Sequence, residues 1–115
     1  ECDVVVPGLW VECGCGAAVT GESKLTQAIE AEHAYRVQRT DGRGSFPARR
    51  LPLAITRRNG QRMLLVTLRF GDLSRIVERE QEPNLDSNLP VTVPLVELLP
   101  LLSAWVVAHQ LRNPR

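Results

Sequence analysis

The sequence predicts an α+β fold: a small antiparallel sheet around a central hairpin, with a C-terminal helix packed on it. Three observations lead there. Two apolar runs, residues 51–56 and 63–68, flank Arg58-Asn59-Gly60-Gln61. Asn-Gly between such runs is the strongest short-range hairpin signal, because both residues tolerate the positive φ of a tight turn. Residues 94–112 then carry Leu95, Leu98, Leu99, Leu102, Trp105 and Val106 as one helical stripe. Finally, 115 residues suit one compact domain, 1–115, and its five aromatics leave Leu and Val to build the core. A small barrel closed by the same helix is the alternative arrangement.

The elements follow in chain order. Val4-Val5-Val6 and Leu9-Trp10-Val11, separated by Pro7-Gly8, read as two short strands or one sharply bent strand. Cys13-Gly14-Cys15-Gly16 is too rich in glycine to prolong them. A helix is predicted from Ser23, whose hydroxyl can accept from the free N–H groups of a first turn. It places Leu25, Ala28, Ile29 and Glu32 on one narrow face and ends before Asp41-Gly42-Arg43-Gly44.

A two-residue loop at Asn59-Gly60 would set the hairpin register. Ile55 then faces Leu64, Leu53 faces Val66, Arg57 faces Arg62 and Arg50 faces Arg69. One face carries Leu51, Leu53, Ile55, Leu64, Val66 and Leu68, and is the core face. The other is half polar, edged by Arg50, Arg58 and Arg69. Pro52 cannot donate to a ladder, which predicts an edge strand or a bulge there.

Residues 73–80 fit a short helix capped by Asp72 or a third strand equally well, and residues 82–90 read as loop. In the last segment Pro94 suits a first helical turn. Pro100 removes a helical hydrogen bond at ~3 kcal/mol, so the helix should kink there or restart.

Composition narrows the chemistry. Glu1 in place of an initiating Met points to processing or excision from a longer chain, and no leader pattern opens the sequence. Cys2, Cys13 and Cys15 are too few and odd in number for a disulfide framework, so free thiols in the cytoplasm are expected. With His33 they make four potential zinc ligands, but not the two close pairs of a zinc ribbon; no metal and no cofactor are predicted. The longest apolar stretch, residues 89–111, is interrupted by Pro94, Glu97, Pro100 and His109, which argues against a membrane span. Neither cysteine–histidine pairings nor the serines sit in an activated context, and Glu30/Glu32 and Glu78/Glu80/Glu82 read as solvated acids. The chain is therefore expected to bind rather than catalyse.

What it would bind is suggested by charge. A net charge of +1 conceals a segment, residues 36–69, with nine arginines against Asp41 alone. That segment carries +8, between flanks of −5 and −2. Arginine forks match phosphate oxygens in pairs, so Arg49, Arg50, Arg57, Arg58, Arg62 and Arg69 are the candidate contacts to a polyanion, nucleic acid foremost. In the hairpin register, like charges sit directly opposite at Arg57/Arg62 and Arg50/Arg69, a loss of ~0.2–1 kcal/mol per pair unless an anion intervenes. The competing explanation is that the acidic flanks fold back and neutralise the arginines. The alternative function is a protein-interaction or assembly module, including a homo-oligomer, whose contact is Leu98, Leu102 and Trp105 on the terminal helix.

Overall fold

The computed structural model describes residues 4–15, 20–39, 49–57, 62–78 and 88–112. In chain order these form β1 (Val4–Val6), β2 (Leu9–Cys15), α1 (Gly21–Arg39), β3 (Leu51–Arg57), β4 (Leu65–Arg69), α2 (Phe70–Glu78), β5 (Pro90–Pro94) and α3 (Leu95–Arg112). The strands make one open sheet in the order β1-β2-β3-β4-β5. The class is α+β, with α3 packed on the sheet as the apolar stripe predicts; the sheet is open rather than a closed barrel.

It is mixed, however, not wholly antiparallel. β2 and β3 run parallel, from Leu9 beside Leu51 to Cys15 beside Arg57, and the other three pairings are antiparallel. Parallel neighbours need a long crossover, and α1 is that crossover. Its narrow apolar face, with Leu25 and Ala28, is buried against the middle of the sheet.

Side chains alternate across the pleat, so each strand feeds two layers. One face carries Leu9, Val11, Leu51, Leu53, Val66 and Leu68, and packs against Ile76 of α2 and Leu98 and Leu102 of α3. Leu53, Val66 and Leu68 have no exposed surface there. The opposite face carries Trp10, Glu12, Ala54, Thr56 and Thr67, and is covered by α1 through Leu25, Ala28 and Glu32. Gly21, the first residue of α1, lies so close to Thr67 that any added Cβ would overlap the Thr67 hydroxyl.

Several local expectations change. β2 continues through Cys13-Gly14-Cys15, because β3 pairs with it along its whole length and that ladder outweighs glycine's entropy. The cap of α1 is Thr20, whose Oγ1 accepts from the N–H of Ser23 at 3.1 Å; Ser23 itself lies inside the first turn. The β3–β4 pairs are Ala54 with Thr67, Ile55 with Val66 and Thr56 with Leu65, two residues out of step with a tight Asn59-Gly60 loop. Residues 58–61, where that loop was placed, lie outside the described residues. A two-residue slip preserves the pleat parity, so the core face keeps its membership except for Leu64, which is exposed.

Pro52 sits in a central strand, but beyond the last β3–β4 ladder pair, so its missing donor leaves no gap on that side. Residues 73–78 are helical, and Asp72 stands in the first turn of α2 rather than at its cap. β5, Pro90-Val91-Thr92-Val93-Pro94, occupies the gap between the expected loop ending at Pro90 and the expected helix start at Pro94; its outer prolines disguise a paired edge strand. Helix α3 runs through Pro100 without restarting.

Candidate polyanion-binding surface

The observed register separates the arginines that the hairpin was expected to gather. Following the β3–β4 pairing, Arg57 no longer faces Arg62, and Arg50 precedes β3 beyond the ladder while Arg69 ends β4. The like-charge pairs, and the strain they would store, are absent. The half-polar face of the hairpin is not an open surface either, because α1 lies on it.

The arginines fall into three groups. In the first, acids from the flanks neutralise them. Arg36 donates from Nε to Glu32 Oε2 at 2.7 Å, and Arg69 donates from Nε to Asp72 Oδ2 at 2.7 Å. Arg75 approaches Asp72 Oδ1 at 3.9 Å. Both carboxylates are buried. Glu32 also accepts the backbone N–H of Arg50 at 3.0 Å, tying the middle of α1 to the entrance of β3. This explains an acid on the buried stripe of α1: it satisfies a main-chain donor that would otherwise be orphaned.

Arg50 forms the second group. Its guanidinium carbon stands 5.9 Å from the Trp10 ring centroid and 5.7 Å from that of Tyr35, within cation–π range. The two rings are themselves 5.4 Å apart and tilted by 55°. Trp10 is buried, and its Nε1–H donates to Glu12 Oε2 at 3.1 Å. No local signal links Trp10, Tyr35 and Arg50, which come from three elements that meet only through the parallel crossover.

In the third group, Arg49, Arg57 and Arg62 are exposed and have no ion pair among the described residues. Arg57 ends β3 and Arg62 precedes the antiparallel β4, so they occupy the same end of the sheet. Arg49 is at the other end, roughly 26 Å from Arg57 at ~3.3 Å per residue. Arg58 lies outside the described residues.

The terminal helix also departs from its expected use. Leu98 and Leu102 are buried in the core, and Trp105 is half-buried with Nε1 donating to Gly8 O at 3.1 Å. The side of α3 left in solvent carries Val96, Leu99, Val107 and Leu111, with Val96 and Leu111 74% and 78% exposed. An all-round apolar helix gives no local indication of which side turns inward.

Cys13 and Cys15 are exposed at the end of β2, and His33 is exposed on α1 next to Glu32, near the start of β3. Cys2 lies outside the described residues. Among the described residues no group of three His, Cys, Asp or Glu side chains converges as metal ligands, and no helix is long and apolar enough to cross a membrane. Comparison with protein families, with curated proteins and with solved structures finds no match.

Proposed function

We propose that the chain is a non-enzymatic binding domain that contacts a polyanion, nucleic-acid backbone foremost, through the arginines its own acids leave unpaired. The observation that carries this reading is that Arg57 and Arg62 are exposed at one end of the sheet with no ion pair among the described residues. A domain that needed arginines only for internal ion pairs would bury their charge as it does at Glu32 and Asp72. Backbone phosphates offer the complementary charge at a regular spacing, and exposed guanidiniums can meet it without desolvating a protein carboxylate.

Replacing Arg57→Glu and Arg62→Glu together tests the reading. Fluorescence anisotropy with labelled single- and double-stranded oligonucleotides at low salt should show a loss of more than about tenfold in affinity. Thermal stability should hardly change, because exposed unpaired charges contribute little to folding. Absence of binding by the unaltered protein, or undiminished binding by the variant, would overturn the proposal.

A second reading has its own observation. Val96, Leu99, Val107 and Leu111 form an exposed apolar strip along α3, which favours assembly of this chain with a second copy through that side of the helix.

A further inference from the structure

We propose that Arg50 anchors a discrete phosphate-binding corner at the entrance of β3. This deepens the polyanion reading and rests on it, but lies at the opposite end of β3 from Arg57 and Arg62. The argument begins with how firmly the side chain is held. Glu32 fixes the Arg50 backbone N–H, while the guanidinium lies within cation–π range of both Trp10 and Tyr35. Trp10 is fixed in turn by burial and by its bond to Glu12.

The guanidinium so held has five N–H donors. Among the described residues none is used in a hydrogen bond or ion pair, although two carboxylates stand close in the fold. Glu32 Oε2 is taken by Arg36 and by the Arg50 backbone, and Glu12 Oε2 by the indole. The fold thus fixes an arginine and directs its neighbouring acids elsewhere. A planar fork whose rotamers are restricted by neighbouring rings binds a tetrahedral oxyanion at lower entropic cost than a freely mobile one. The fork can take two oxygens of a phosphate or phosphodiester as a pair of charge-assisted hydrogen bonds.

The test is an NMR titration of the whole chain labelled with ¹⁵N, read at Arg50 Nε–H and at the Trp10 indole N–H. The probes are inorganic phosphate and a short oligothymidylate, each at constant ionic strength. Saturable shifts at both signals are expected, and whichever probe binds more tightly identifies a free phosphate or a phosphodiester as the natural source. Arg50→Lys keeps the charge over the rings but loses the fork, and should weaken binding by at least about tenfold. No saturable shift with either probe, or full affinity in Arg50→Lys, would overturn the corner. Oligonucleotide binding that survives Arg50→Lys but is lost in the Arg57/Arg62 variant would sink the corner alone, leaving the polyanion reading intact.

Discussion

Gly21 and Thr67 are the closest point between α1 and the sheet. Thr67 has no exposed surface, and its Oγ1 shares a 2.8 Å hydrogen bond with Thr92 Oγ1 on β5. It therefore cannot swing aside. A Cβ on residue 21 would overlap Thr67 Oγ1 and stand 3.0 Å from Thr67 Cβ, so the helix start must lift. Gly21→Ala is expected to destabilise the domain by about 1–3 kcal/mol, the usual range for overpacking. Urea denaturation would register this as an earlier midpoint; an unchanged or raised midpoint would mean that α1 is not seated on Thr67. Gly8 is constrained differently. Its φ of +79° suits glycine, and an added Cβ would also meet the His109 ring at 2.7 Å. Pro7-Gly8 was legible as a turn from the sequence, whereas the clasp by Trp105 and His109 from α3 was not.

At the scale of the element, α3 shows how one sequence pattern can serve two surfaces. Leu98 and Leu102 face the sheet, while Leu99 and Val107 face solvent one residue or a few turns away. Leu98→Ala or Leu102→Ala should cost about 2–5 kcal/mol, since each empties a packed site in the core. Leu99→Gln with Val107→Lys should leave stability within about 1 kcal/mol, because exposed positions tolerate polar groups. If a second copy docks on this side, sedimentation velocity should find an associated wild type and a monomeric double variant. A wild type that stays monomeric at high concentration removes the assembly reading. The stripe in the sequence was enough to place a helix here and to pack it on the sheet. It could not select the inner side, because Val96, Leu101, Val107 and Leu111 make the remaining sides apolar too.

For the whole molecule, the central fact is the redistribution of charge. The +8 segment meets acids from both flanks: Glu32 comes from the N-terminal part and Asp72 from the C-terminal part. Among the described residues neutralisation is thus partial, with Arg49, Arg57 and Arg62 exposed and in no ion pair. The paired carboxylates are buried, and buried pairs are weakly screened by salt, unlike contacts to an external polyanion. Raising salt from ~0.05 to ~0.5 M should therefore shift the melting temperature little. Nucleic-acid affinity should fall along a logarithmic salt plot with a slope of about −2 to −3, as three phosphate contacts would give. Salt-sensitive folding with salt-insensitive binding would reverse the assignment of paired and free arginines.

Local sequence determined the α+β class, the terminal helix packed on the sheet, and the division of the hairpin into two faces. These rest on periodicity within a few residues, and the faces survived a register shift of two because the pleat repeats every two residues. Tertiary structure alone decided the parallel pairing of β2 with β3, the recruitment of β5, the seat of Arg50 beside the Trp10–Tyr35 pair, and which arginines meet acids. Each joins residues distant in the chain, and no propensity or spacing encodes a partner forty residues away. Such partners are chosen when burying both faces of β3, one under α1 and the other under α2 and α3, leaves only a few ways to satisfy the buried main-chain and carboxylate groups.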